Sequence, residues 1–310
     1  MENLYELPTE MQNKHSLNMD KLPTREILTI INNEDQTVAT CVQEALPEIE
    51  QAVDLIFESI SQGGRLFYVG AGTSGRLGVL DAVECPPTFS TPPELVQGII
   101  AGGETAIFKA VEGAEDNEDL GADDLIDRGI SKQDVVVGVA ASGRTPYVKG
   151  ALAYARKIGA RTISLSSNQE AKISKDAQVC IYVNTGPEIL TGSTRMKAAT
   201  AHKLVLNMLT TTIMVKSGKV YENLMVDLHA SNEKLRKRAI SMVSNITEVS
   251  AEEAESVLER TNYEVKPAIV MIKAGLDAHK AQEYLREAKG FIRQAVEMAL
   301  ASQTPNDIKL

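Results

Sequence analysis

Residues 66–76 read Leu-Phe-Tyr-Val-Gly-Ala-Gly-Thr-Ser-Gly-Arg, an apolar run that ends in a glycine-rich turn carrying two hydroxyls. A second turn of the same kind, Ala-Ser-Gly-Arg-Thr at 141–145, follows the apolar run 135–139, and Pro146 comes directly after it. Each reads as a strand end that delivers hydroxyls and bare backbone amides to a helix start. Amides at a helix N-terminus favour an anion, and glycine lets the chain approach it closely. Two such ends make a pocket for one phosphate group. A third cluster, Thr-Gly-Ser-Thr-Arg at 191–195, also precedes a helical stretch. Any one of the three could be an ordinary helix cap, but together they point to a sugar-phosphate pocket. The expected phosphate contacts are Thr73, Ser74 and Gly75, then Ser142, Gly143, Arg144 and Thr145, then Ser193 and Thr194.

Working outward, short apolar runs alternate with helical stretches. Strands are expected at 66–69, 95–100, 135–140, 162–165 and 179–183. Helices are expected at 74–84, 105–112, 118–127, 146–158 and 196–215. Several strands are apolar throughout, as when helices cover both faces of a sheet. The fold class is therefore α/β, a doubly wound parallel sheet of five strands, with ligands beyond the strands' carboxyl ends. Ahead of it, Thr24 is expected to cap a helix through residue 32. Residues 34–60 read as helix, with Pro47 either kinking it or starting a second one. Residues 1–23 have weak periodicity and are expected to wrap a surface. After Gly218 a polar helix is expected at 222–246, its basic stretch 234–238 forming a solvated face. Ser250 with Glu253 fits a capping box, Pro267 an early helix position and Gly275 a C′ position. Three short helices, 251–260, 266–274 and 278–288, would form a small bundle that 291–300 extends. The expected domains are 1–62, 63–220 and 221–310.

Gly70-x-Gly72-x-x-Gly75 matches the dinucleotide fingerprint literally, yet the acidic residue wanted about 20 positions on, at the end of the second strand, is missing. Residues 101–103 there are Ala-Gly-Gly, and Glu104 begins the next helix. No Gly-Lys-Ser/Thr follows either, which excludes a Walker loop. The 310 residues carry a net charge of −10, which argues against nucleic acid or an anionic membrane as a partner. A phosphorylated ligand must then be held by local groups rather than drawn in by the overall field. Cys41, Cys85 and Cys180 are scattered and odd in number, which suggests free thiols in a reducing compartment; Cys85 reads as a buried structural thiol. No leader or membrane span is evident, so a cytoplasmic protein is expected. His15, His202, His229 and His279 lack ligand spacing, so no metal is expected, and His202 reads as a packed or hydrogen-bonded residue rather than a base.

The carboxylates are less legible. Glu84 precedes Cys85-Pro86-Pro87, where two prolines are expected to stop the helix begun at Ser74. A carboxylate at a helix C-terminus faces the wrong end of the dipole, and partial burial there would raise its pKa as a general acid needs. Glu112 and Glu115 would share a helical face if that helix continued past Gly113. A solvated acidic segment is the plain alternative, since Asp116, Glu118 and Asp119 follow.

With these strings on the page the chain resembles the N-acetylmuramic acid 6-phosphate etherases, a bacterial family of the sugar-isomerase (SIS) fold. The resemblance rests on Gly-Ala-Gly-Thr-Ser-Gly-Arg-Leu-Gly at 70–78, Glu-Cys-Pro-Pro at 84–87, Ala-Val-Glu-Gly-Ala-Glu-Asp at 110–116, Ala-Ser-Gly-Arg-Thr-Pro-Tyr at 141–147 and Thr-Gly-Ser-Thr-Arg-Met-Lys at 191–197. The second and third of these are far more specific than the glycine loop. The likeness covers nearly the whole chain and implies a C-terminal ubiquitin-associated-like (UBA-like) three-helix bundle. It also implies cleavage of a D-lactyl ether with Glu84 as proton donor and Glu115 as base, sugar contact by Glu112, no cofactor, and a homodimer. Two alternatives share the phosphate pocket: an aldose–ketose isomerase, and a sugar-phosphate-sensing regulatory protein. A repressor would normally carry a basic helix-turn-helix, which the acidic N-terminal region lacks.

Overall fold

The structure, a computed structural model, describes residues 7–227 and 233–303. These divide into two compact units, one made of 7–84 and 93–211, the other of 85–92 and the described part of 212–303.

The first unit is built on five parallel strands, β1 (Leu66–Gly70), β2 (Val96–Ile100), β3 (Val135–Val139), β4 (Arg161–Ser166) and β5 (Val179–Tyr182), in the order β2-β1-β3-β4-β5. All five lie where the apolar runs placed them. Every residue of β1 and β3 is buried, because helices cover both sheet faces. The order reverses between β1 and β3, and in open α/β sheets that switch point opens a crevice beyond the carboxyl ends. The intervening helices are α4 (Gly72–Phe89), α5 (Thr105–Phe108), α6 (Glu118–Asp127) and α7 (Pro146–Lys157), followed by α8 (Lys197–Lys216). Phe67, Val69 and Val136 of the sheet pack with Leu125 of α6 and Tyr147, Val148 and Leu152 of α7 in one core.

Ahead of the sheet stand α1 (Thr24–Asp35), α2 (Val38–Glu44) and α3 (Leu46–Ser61). Thr24 is the first helical residue and not the cap, a place taken by Pro23 with no side-chain bond. Pro47 occupies the first turn of α3, where its missing N–H costs nothing, so it starts a helix rather than kinking one. Ile49, Ala52, Val53 and Ile56 form its buried stripe.

Three expectations need correcting. Pro86 and Pro87 lie inside α4, which continues to Phe89. They remove two backbone donors, but the last turn closes through Ser90 N–H to the Pro86 carbonyl at 2.9 Å. The helix expected at 105–112 ends at Phe108, and Gly113 adopts a left-handed φ of 75°. The helix expected from 222 is replaced by a hairpin of β6 (Val220–Tyr221) and β7 (Leu224–Met225), turned by Glu222 at φ 55°; the helix that follows, α9, spans Glu233–Thr247. A two-residue turn between apolar pairs is the hairpin signal that helical periodicity masks.

The rest of the second unit is α10 (Ala251–Arg260), α11 (Val265–Ala274), α12 (Ala278–Glu287) and α13 (Ile292–Gln303). The Ser250 hydroxyl accepts the Glu253 N–H at 3.1 Å, and Gly275 ends α11 at φ 64°, both as expected. Val243 of α9, Leu258, Ile269, Leu285 and Ile292 share one core, so the three short helices and their extension α13 are joined by α9 in the bundle. Among the described residues no helix is long and apolar enough to cross a membrane.

Candidate functional site

A cavity of about 360 Å³ opens beyond the carboxyl ends of β1 and β3. Three loops supply its anion-seeking wall. Ala71 to Ser74 leave β1 and open α4; Ser142, Arg144 and Thr145 lie between β3 and α7; Gly192 and Thr194 precede α8. The three hydroxyl-rich turns read from the sequence therefore meet at one place, the topological switch point. Thr73, Ser74, Ser142, Arg144, Thr145 and Thr194 line it.

Gly75 and Gly143 are not among the lining residues; they make the turns possible. A Cβ on Gly75 would stand 2.7 Å from the Gly70 carbonyl oxygen and 2.6 Å from Ile100 Cγ1, so the glycine lets α4 start hard against the sheet. Gly143 holds a φ of 67°, and a Cβ there would lie 2.4 Å from that of Ala171. Ser193 also stays outside the lining, its N–H donated to the Leu190 carbonyl at 2.9 Å.

Behind the second turn the Ser167 N–H and the Asn168 side-chain amide both reach the Ala141 carbonyl, at 3.0 and 3.1 Å. His202 of α8 reaches Ser167 Oγ through Nε2 at 3.1 Å and is 1 % exposed. Burial holds its pKa down to about 4, against the opposing hydrogen bond to the Ser166 backbone. It is packed and hydrogen-bonded, as expected from the sequence, and it also forms part of the cavity wall. The third turn is held by Glu188, fully buried, whose two carboxylate oxygens accept the N–H groups of Lys197 and Ala198 at 3.0 and 2.9 Å. That is a carboxylate at a helix N-terminus, where the dipole favours it.

The carboxylates divide. Glu115, in the 3₁₀ turn Ala114–Asp116, lines the cavity together with Asp116. Glu112 is exposed and outside the lining; the left-handed Gly113 separates the two, so they do not share a helical face. Glu84 is exposed and lies 11 residues along α4 from Thr73, roughly 16 Å at the helical rise. It lies inside the helix, five residues before its end, and not in the buried C-terminal position expected from the sequence. Glu10 of the N-terminal arm is a further carboxylate in the wall. Nothing in the aperiodic arm sequence marks it.

Comparison with known proteins follows this geometry. The glucokinase regulatory protein N-terminal SIS domain matches residues 48–156, a SIS domain matches 117–212, and the C-terminal lid domain of glucokinase regulatory protein matches 222–282. The chain is 56% identical to an N-acetylmuramic acid 6-phosphate etherase of Bacillus subtilis, over 95% of this chain and 97% of that one. It is 55% identical to the protein of that name from Cronobacter sakazakii, over 95% and 99%, and 52% to that from Clostridium beijerinckii, over 95% and 97%.

Proposed function

We propose that this chain, which belongs to the N-acetylmuramic acid 6-phosphate etherase family, cleaves the D-lactyl ether of N-acetylmuramic acid 6-phosphate. Water is consumed, and N-acetylglucosamine 6-phosphate and D-lactate are released. The observation that carries the reading is that Glu115 shares one cavity with all three hydroxyl-rich turns.

The chemistry assigns each part. The turns at Thr73–Ser74, Ser142–Thr145 and Thr194 grip the phosphate at C6, and that remote binding orients C2 and C3. Ring opening exposes an aldehyde at C1, which acidifies the C2 hydrogen. Glu115 removes that proton as base, and the C3–O bond breaks as lactate departs. An ether oxygen leaves poorly without a proton; Glu84 donates it. Water then adds its hydroxyl at C3 and its remaining proton to the Glu84 carboxylate, and the proton held by Glu115 returns to C2. Glu112 is assigned to sugar contact on the family resemblance alone, and Ser193 to substrate contact on its place in the third hydroxyl-rich turn.

Glu84 cannot serve its own cavity from an exposed position three turns along α4. A second copy brings it in. Leu80 and Val83 are 48 % and 58 % exposed, and Leu80 neighbours both Val83 and Glu84 at i, i+3 and i, i+4 spacing, an apolar patch suited to a two-fold contact. In this homodimer Glu84 of each copy completes the partner's site. The three free cysteines suit a reducing cytoplasm.

The test is D-lactate detection after incubation with the phosphorylated muramic sugar in heavy water. Glu115→Gln should abolish both lactate release and deuterium entry at C2, whereas Glu84→Gln should slow release more than exchange. Lactate formation at the parental rate by both variants would overturn the assignment. A parent that releases no lactate would leave an isomerase or a sensor.

A further inference from the structure

The N-terminal arm does more than cover a surface. Thr9 is 1 % exposed, and its hydroxyl accepts a hydrogen bond from the Asn168 side-chain amide at 3.2 Å. The same amide nitrogen holds the Ala141 carbonyl of the second turn. Further along, Asn13 Nδ2 donates to Glu34 Oε2 at 2.8 Å and to the Pro187 carbonyl at 3.2 Å, and Ser16 Oγ donates to the Ile189 carbonyl at 2.7 Å. These bonds fix the arm on both sides of Glu10. The Glu10 carboxylate lines the cavity, and its Oε2 stands 3.2 Å from where a Cβ on Gly192 would be. The third turn thus leaves room for it.

A carboxylate accepts hydrogen bonds and donates none when ionised. Against the phosphate, or against the lactyl carboxylate, it would repel. The part of the hexose it can face is the uncharged part, the hydroxyls and the acetamido N–H. We propose that Glu10 is a specificity-determining residue that accepts a hydrogen bond from an uncharged O–H or N–H donor of the sugar, setting the hexose between the phosphate clamp and Glu115. The assignment rests on the function proposed above. It gives the arm a role in substrate selection: a phosphate ester without such donors gains nothing from Glu10.

The experiment compares the parent with Glu10→Gln and Glu10→Ala in steady-state lactate release. A charge-assisted hydrogen bond corresponds to roughly 10- to 100-fold in affinity, so Glu10→Ala should raise KM by about that factor while kcat stays within about threefold. Glu10→Gln should fall between. Inhibition by inorganic phosphate, which carries no carbon-bound hydroxyl, should be unchanged, as should Tm. Thr9→Val, which removes both the tie to Asn168 and the 3.4 Å bond that the Thr9 hydroxyl donates to Glu10 Oε1 but keeps the carboxylate, should cost less than Glu10→Ala. A kcat/KM for Glu10→Ala within twofold of the parent overturns the proposal. So does an equal weakening of inorganic phosphate, which would make the arm a structural support of the turns. If the parent releases no lactate, calorimetric binding of N-acetylglucosamine 6-phosphate still decides: equal affinity of parent and Glu10→Ala overturns the role of Glu10, whereas weaker binding by the variant upholds it without the reaction.

Discussion

Glu34 and Lys197, 163 residues apart, meet at 2.6 Å beside the third hydroxyl-rich turn. Lys197 opens α8 with only 3 % of its side chain exposed, and Glu34 closes α1 with 12 % exposed. Glu34 also binds Asn13 and His15 of the arm, at 2.8 and 2.7 Å. One carboxylate therefore ties together the arm, α1 and the start of the helix that carries His202.

Burial alone would raise the Glu34 pKa, but hydrogen bonds from His15, Lys197 and Asn13 bring it down to about 2. A carboxylate lower in the fold than in the unfolded chain stabilises above its unfolded pKa. That stability drains away as pH falls from about 4.5 towards 2. Glu34→Gln should cost about 3 kcal/mol at neutral pH, because it leaves a buried ammonium unpaired, and should flatten stability across that acid window. Urea unfolding at pH 3, 4.5 and 7 checks both.

His202 acts in the next window up. Its folded pKa near 4 lies below the ordinary 6.5, so protons bind the unfolded chain first. Stability should fall as pH drops from 6.5 to 4, by at most about 3 kcal/mol. His202→Gln should remove that slope while leaving the slope below pH 4.5 intact. Thermal melts over pH 4 to 7 separate the two residues.

Sharing Glu84 between copies has a quantitative signature. Glu84→Gln, slowed in lactate release, and Glu115→Gln, which releases none, should recover activity beyond the average of the two when co-refolded. In a two-fold dimer mixed one to one, about a quarter of all sites regain both carboxylates. Specific activity that stays at the level of the separate variants would mean that each chain uses its own Glu84.

Gly143→Ala should damage the second turn beyond the ordinary cost of a methyl. A positive φ costs an alanine about 1–2 kcal/mol, and the collision with Ala171 adds to it. Inorganic phosphate, measured as a competitive inhibitor, should weaken by at least about tenfold, the equivalent of 1.4 kcal/mol. An unchanged inhibition constant would mean that the turn does not hold the anion.

The sheet was legible because its strands are buried on both faces, so composition alone marks them. The meeting of the three hydroxyl-rich turns in one cavity was legible for a related reason: two of them follow such strands directly, and parallel strands carry their carboxyl ends to one edge of the sheet. Glu10 was invisible because its position depends on Thr9, Asn13 and Ser16 finding partners 159 to 174 residues away, which no local pattern encodes. The placement of Glu84 was misread for a different reason. Pro86 and Pro87 suggested a helix end, yet both lie inside the last turn of a helix that runs on to Phe89, and neighbouring sequence says nothing about which side of α4 faces solvent. Glu222 and Asn223 hid the hairpin because a polar pair in a helical stretch and a tight turn look alike.

The hydroxyl-rich wall proposed to hold the phosphate is made almost wholly of uncharged groups. Among the described residues that line it, Arg144 is the single permanent cation, on a chain whose net charge is −10. A dianionic substrate approaches such a surface against a repulsive long-range field, and amides and hydroxyls hold it only on arrival. Counter-ions shield the approach while barely touching the short bonds inside. Raising potassium chloride from about 10 to about 200 mM, where the screening length falls below ~10 Å, should therefore leave KM level or lower it. An enzyme that gathers phosphate through a basic funnel would respond in the opposite direction.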